Sequence, residues 1–241
     1  METQTQIGVI LRKSPYGESD LIITALLAEG GLRRFFAKGA LVSRKRFGGR
    51  LELFTQVKLT YLAKAEGLWS LTEAESVAGV SVNYWSEPSA FASAGFFAEL
   101  ICAFHPEGES SVAVADFWTT FEAHVRESGG QGLSPDRLLV AFWQLLGFFG
   151  YALSVMACAR CKKTQGSGHF QPEQGGFICQ NCLFERRGPL LDETSRSRLS
   201  ASLPVTATLI VDLFSETLSF VEGLLHKRLK AAPFFRSILE W

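Results

Sequence analysis

The sequence has no GxxxxGK(S/T) phosphate loop, no GxGxxG turn after a strand, no HExxH and no GxSxG. Those motifs supply phosphate-cradling amides, metal-binding imidazoles or a strained nucleophile, so their absence removes the commonest nucleotide-hydrolase, metalloprotease and esterase readings. Histidine is scarce: His105, His124, His169 and His226 share no metal-ligand or triad-like spacing. Acidic pairs such as Glu73 with Glu75, or Glu107 with Glu109, have only local spacing, which surface solvation explains. An enzyme is not expected. The N-terminus, METQTQIGVILRKS, lacks a basic segment followed by an apolar run and a small-residue cleavage site, so a cytoplasmic location is expected. No internal repeat is visible.

Charge is missing in two informative places. Leu138 to Ala159 has no charged side chain and is long enough to cross a bilayer. Gly147 and Gly150 punctuate it, however, Gln144 and Ser154 are polar, and it runs directly into a cysteine pair. Ser134, Pro135 and Asp136 read as N-cap, N1 and N2 of a helix ending near Gly150, so a buried helix is expected and no membrane contact. The second gap is in negative charge. From Gly30 to Arg50 there is no Asp or Glu, while Arg33, Arg34, Lys38, Arg44, Lys45, Arg46 and Arg50 all fall there. The chain as a whole balances 24 basic against 24 acidic residues, so its zero net charge hides a strong local separation. A basic run of this kind repels itself and calls for an anionic partner, or else forms a solvated face. Gly30, Gly31, Gly39, Gly48 and Gly49 break the backbone, and Phe35, Phe36 and Phe47 stand among the cations. Cations for phosphates beside rings for bases are what sequence-tolerant single-strand binding requires. Alternation sends at least one of Phe35 and Phe36 into a core, so the seven cations alone are taken as the candidate nucleic-acid-binding residues.

At 241 residues with 47% apolar content, the chain is long enough for one large domain or two small ones. Five short apolar runs fill the first part: 6–12, Asp20–Leu27, Leu32–Ala37, Leu53–Ala63 and Leu68–Glu73. A turn at Ser14-Pro15-Tyr16-Gly17 separates the first two, another at Glu66-Gly67 the last two, and Phe54, Val57, Leu59 and Tyr61 anchor the fourth. With no helical period between them, they predict a small antiparallel barrel, either an OB-fold or an SH3-like barrel. After Tyr84 the period becomes helical. Pro88–Phe104 and Ser110–Glu127 read as helices, with Val114, Phe117, Trp118 and Phe121 on one face of the second. Asp192–Leu199 is short and charged, Val205–Leu229 is amphipathic, and Pro233 restarts a last helix. The expected fold is therefore α+β: a barrel over 1–82, a helical part over 83–157 and 188–241, and an insert over 158–187.

The insert carries four of the five cysteines, as Cys158-x2-Cys161 and Cys179-x2-Cys182 separated by 17 residues. That spacing, with Gly166, Gly168, Gly175 and Gly176 free to turn hairpins, fits a four-thiolate structural zinc site. A closed site holds no activated water, and no thioredoxin-like βαβ pattern supports redox use of either pair. His169 between the pairs reads as a hairpin residue, Cys102 as a small core residue, and Arg160, Lys162 and Lys163 as a mildly basic, mainly solvated face.

These motifs together resemble a known family. Ser14-Pro15-Tyr16-Gly17-Glu18-Ser19-Asp20-Leu21-Ile22, Ala37-Lys38-Gly39-Ala40 and Arg46-Phe47-Gly48-Gly49-Arg50-Leu51-Glu52-Leu53-Phe54 resemble the N-terminal pattern of RecO, the bacterial recombination mediator of the RecF pathway. Cys158-Ala159-Arg160-Cys161 after Leu145-Leu146-Gly147, and Phe170-x-Pro172-x-x-Gly175-Gly176-x-x-Cys179-x-x-Cys182, are similar to its zinc-bearing branch. Leu225 to Lys230 is similar to its closing helix; Ala152-Leu153-Ser154 departs from the pattern in lacking a proline. The resemblance implies an OB-fold domain, a helical domain and a zinc ribbon. It further implies binding of single- and double-stranded DNA, strand annealing, and help in loading RecA onto strands coated by SSB. The implied partners are RecR and the acidic, hydrophobic C-terminal tail of SSB.

Overall fold

A computed structural model describes residues 3–28, 31–65, 67–77 and 85–239. Gly30, the turn residue Glu66 and the expected change of character at 82–84 lie outside these residues. The chain divides into two compact units, residues 1–131 and 132–241.

In the first unit, β1 (Thr3–Tyr16), β2 (Asp20–Leu27), β3 (Gly31–Ala37), β4 (Gln56–Leu62) and β5 (Trp69–Ser76) close into a barrel of order β1-β2-β3-β5-β4. Four seams are antiparallel; the fifth, between β3 and β5, is parallel and short, with Phe35 opposite Trp69 and Phe36 opposite Ser70. This closed five-stranded order is OB-like and decides between the two barrels that strand count left open. Period-2 alternation fills the interior: Leu21, Ile23, Ala25 and Leu27 from β2, Phe35 and Ala37 from β3, and Val57, Leu59 and Tyr61 from β4. Phe47 and Leu51, from the connection between β3 and β4, join the same core.

Two local readings change. The first strand does not stop before a turn at Ser14; β1 runs on to Tyr16, and the turn follows at Gly17. Beyond Val9 the strand has no β4 partner, so Pro15, which cannot donate, sits where only β2 pairs with it. Phe54 is not a strand anchor either. It precedes β4, has a left-handed φ of 63° and falls out of phase with Val57, Leu59 and Tyr61. Its buried ring meets the helical side of the unit instead, with centroids 5.6 Å from Trp85, 5.1 Å from Phe91 and 5.9 Å from Trp118. Phe91 belongs to α1 (Pro88–Phe104) and Trp118 to α2 (Val112–Glu127). The α2 face of Val114, Phe117, Trp118 and Phe121 is buried as the helical period requires.

The second unit begins with α3 (Pro135–Phe148), so the uncharged run Leu138–Ala159 is helical only over its first half. Among the described residues no helix is long and apolar enough to cross a membrane. On α3, Trp143 stacks on Phe170 at 5.3 Å and donates its indole N–H to Thr217 Oγ1 at 3.0 Å, which satisfies a buried donor. β6 (Gly168–Gln171), β7 (Gly176–Cys179) and β8 (Leu190–Leu191) form a three-stranded ribbon of order β7-β6-β8. Next come α4 (Glu193–Ser200), N-capped by Asp192, then α5 (Ala207–Leu225), N-capped by Thr206, and α6 (Ala232–Leu239). The buried stripe of α5 is Ile210, Leu213, Phe214, Thr217, Leu218 and Val221, whereas Leu224 is exposed.

Phe54 therefore joins barrel to helices within the first unit. Truncation, Phe54→Ala, should cost about 3–5 kcal/mol and lower the denaturant midpoint of that unit, read by intrinsic tryptophan fluorescence.

Candidate nucleic-acid interface and metal centre

The connection between β3 and β4 is a folded loop, not a floppy one. Asp20 Oδ1 accepts from the Gly39 amide at 2.7 Å, and the Leu41 amide donates to the Ser19 carbonyl at 2.9 Å, tying the loop to the start of β2. The Ala74 amide donates to the Arg46 carbonyl at 3.0 Å, tying it to β5. Gly48 lies so close to Arg44 that a Cβ there would sit 2.2 Å from the Arg44 carbonyl oxygen. Only glycine permits that approach.

The seven candidate cations do not play one part. Arg46 donates from Nη2 to the Lys38 carbonyl at 2.7 Å and from Nε to Ser43 Oγ at 3.3 Å, with its guanidinium 5.0 Å over the Phe47 ring. Arg50 donates to the carbonyls of Lys45 at 3.1 Å and Ala74 at 3.4 Å. These two shape the loop while keeping their charge. Lys38, Arg44 and Lys45 are exposed and form no ion pair or side-chain hydrogen bond among the described residues. They are the loop's uncommitted charges.

Arg33 and Arg34 stand apart from the loop, on β3. Arg33 is half-buried, its guanidinium 5.0 Å over the Trp69 ring and donating to the Leu32 and Gly108 carbonyls at 3.0 Å each. Arg34 is exposed, but Glu107 accepts from its backbone amide at 3.2 Å and lies 3.9 Å from its guanidinium. Together with Lys64 and Trp69 they line an open cavity of about 460 Å³. His105, at the end of α1, is buried with no partner for Nε2. Burial, rather than the opposing influences of Glu109 and Arg33, dominates and lowers its pKa from 6.5.

Of the three phenylalanines among the cations, Phe35 and Phe47 are buried in the barrel and cannot meet a base. Phe36 faces outward, half-buried and edge-on to the exposed Tyr16 at 5.7 Å. Sequence reasoning passed over Tyr16 because it lay in an expected turn. It also passed over Asp20, whose part in fixing the loop has no local signature.

The two CxxC turns come together in the ribbon. The Sγ atoms of Cys158, Cys161, Cys179 and Cys182 all lie within 4.8 Å of one another, with Cys161 and Cys179 3.7 Å apart. Four thiolates about 2.3 Å from a central ion would form a tetrahedron with edges of roughly 3.8 Å, so the cluster can hold a metal ion. Without a cation the thiols cannot all ionise. For Cys158 burial raises the pKa, but backbone amides of Cys161, Cys179 and Arg160 and the Cys161 thiol outweigh it and bring the value to about 6. Hydrogen bonds with the Cys161 and Cys179 thiols push Cys182 up to about 12. Gly176, with φ of 114°, lets the ribbon pass Ser154; a Cβ there would meet the Ser154 carbonyl oxygen at 2.2 Å. Arg196 of α4, 1% exposed, clamps the ribbon by donating to the carbonyls of Met156, Thr164 and Gly166 at 2.6, 2.8 and 2.8 Å. Its guanidinium also lies 4.0 Å over Phe177. Nothing in the short charged pattern 192–199 marks that role.

The His105 shift has a definite sign. The unfolded imidazole takes a proton near 6.5 and the folded one resists it, so acidification below that value favours the unfolded chain. Lowering the pH from about 7.5 to about 5.5 should therefore reduce the urea midpoint of the first unit more in the native protein than in His105→Gln.

Two family models match the sequence. Recombination protein O N terminal covers residues 1–80, and Recombination protein O C terminal covers residues 86–197. A DNA repair protein RecO from Syntrophotalea carbinolica is 32% identical, over 76% of this chain and 70% of the relative. One from Anaeromyxobacter dehalogenans is 31% identical, over 96% of this chain and 95% of the relative, and one from Gloeobacter violaceus is 31% identical, over 79% and 73%. The barrel motifs, the cysteine ribbon and these matches along both parts of the sequence agree: the chain belongs to the RecO family of DNA repair proteins.

Proposed function

We propose that the protein is a DNA-binding recombination mediator of the RecF pathway. In this reading it binds single- and double-stranded DNA, anneals complementary strands and helps load RecA onto strands coated by SSB, with RecR and the C-terminal tail of SSB as partners. It acts in the cytoplasm at the nucleoid, and no residue is assigned a bond-making step. Residues 1–82 serve as the DNA-binding part and 158–187 as a zinc-stapled ribbon. The family membership supports the repair role, and the single observation that carries the DNA contact is the fixed loop with Lys38, Arg44 and Lys45 exposed and uncommitted.

The mechanism follows from electrostatics. A loop tied to β2 and β5 presents its cations with little backbone ordering left to lose on contact, and each neutralised phosphate releases counterions. Screening their charge lets two strands approach, so annealing requires no cofactor turnover. Arg46 and Arg50 contribute charge while holding the loop's shape, and Arg33 and Arg34 extend the positive face along β3. A second reading, an adaptor that docks only other proteins, is favoured by Leu41 and Val42, which are 54% and 72% exposed in the same loop.

Fluorescence anisotropy of a labelled single-stranded oligonucleotide across a salt series separates the two. The DNA reading expects steep salt dependence. The double reversal Arg44→Glu with Lys45→Glu should then weaken low-salt binding at least about 10-fold and make the slope shallower by about 1.4. Unchanged affinity in that variant, or no binding by the native chain at low salt, would transfer the loop to the adaptor reading.

The four cysteines support one structural zinc ion, which when bound supplies a rigid tetrahedral staple and no open coordination position. Cys161→Ser should reduce bound zinc from about one per chain to near zero by elemental analysis and lower the melting temperature of the second unit. Full zinc content in that variant would reject the assignment.

A further inference from the structure

We propose that the ribbon carries a second contact for single-stranded DNA, centred on Phe184 and Arg160; this rests on the single-strand reading above. Arg160 lies between Cys158 and Cys161 in the first cysteine turn, and Phe184 follows Cys182 of the second. The two turns bring the residues together. The Arg160 guanidinium lies 4.4 Å over the Phe184 ring and donates to the Cys182 carbonyl at 3.5 Å. Assembly of the four-thiol cluster therefore also assembles this stacked pair.

The fold has no use for Phe184 as core. It is 83% exposed, while Phe170, Phe177 and Ile178 of the ribbon are fully buried. A lone exposed aromatic is unremarkable by itself. What distinguishes this one is the guanidinium fixed over one face, which leaves the other face open to solvent. An unpaired base stacks on such a ring, and the cation strengthens the stack.

The surrounding charge selects a polyanion. Residues 158–187 contain Arg160, Lys162, Lys163, Arg186 and Arg187 against only Glu173 and Glu185. Both carboxylates are already engaged by Arg187, at 2.6 and 3.8 Å. Arg160, Lys162, Lys163 and Arg186 are exposed and have no acidic partner among the described residues. Phosphates satisfy those cations while a base covers the ring. Duplex DNA supplies the phosphates but keeps its base faces stacked, so the site takes a single strand.

The barrel loop and the ribbon lie in different compact units. A strand contact in each unit is the minimum for bringing two complementary strands together.

Stoichiometry tests this directly. An oligonucleotide of about eight nucleotides, within the roughly 4–16 that one OB barrel covers, is titrated at low salt and bound strands are counted by native mass spectrometry. The native chain should bind about two, Phe184→Ala about one, and Phe184→Tyr about two, because tyrosine keeps a stacking face. Unchanged metal content in both variants shows the ribbon intact. Photocrosslinking with 5-iodouracil should label the peptide bearing Phe184 in the native chain. One strand per chain in the native protein with no ribbon crosslink, or equal binding by native and Phe184→Ala chains, would overturn the ribbon contact alone. No binding by the native chain would instead overturn the single-strand reading and this inference with it.

Discussion

Closing a five-stranded barrel through a parallel seam imposes the constraint on which the first unit depends. Parallel neighbours cannot be joined by a tight hairpin. β3 lies beside β5, not β4, so the chain leaving Ala37 must cross the barrel end before it returns at Gln56 beside β1. That crossing segment carries five of the seven candidate cations, Lys38, Arg44, Lys45, Arg46 and Arg50. Its compact form comes from Asp20, Ser19 and Ala74 holding it to β2 and β5, and from Phe47 and Leu51 dropping into the core. The exposed cations are therefore displayed on a loop that the barrel itself holds in place.

Charge is distributed according to the same logic. Arg46 and Arg50 satisfy backbone carbonyls that would otherwise be stranded in a tight loop, and Arg33 does the same at the α1–α2 connection. A guanidinium suits this use, because its planar fork reaches two acceptors and still retains its charge. Lys38, Arg44 and Lys45 have no such employment, so their field is directed at solvent and at whatever anion arrives there.

The second unit solves a different problem. Its ribbon has four short-range supports: a thiol cluster, a three-stranded sheet, the Trp143–Phe170 stack and the buried Arg196. Arg196 is held by three carbonyls and an aromatic face. A buried cation is tolerated where acceptors and an aromatic face replace its water; here both terminal nitrogens are paired while Nε has no partner, and removing the carbonyls or the ring would leave the guanidinium desolvated. The same cysteine turns that close the cluster bring Arg160 to Phe184 at the surface, so one local geometry fixes both the interior and the exposed edge of the ribbon.

The five barrel strands, the helices from Pro88 to Glu127, the paired cysteines and the basic run were all legible in the sequence. Each depends on spacing between near neighbours: period 2, period 3.6, CxxC, or a run of one charge. Tertiary structure alone decided that β5 inserts between β3 and β4, that Phe54 serves the helices and not the barrel, and that Phe36 with Tyr16 faces outward while Phe35 and Phe47 do not. It also separated cations that shape the loop from those that remain free. These outcomes depend on which distant residue supplies a carbonyl, a ring or an open edge, and no local pattern encodes partners dozens of residues away. Residue types and their periodicity determined what this chain can build; contacts between remote segments decided which of its charges and rings are left to meet a ligand.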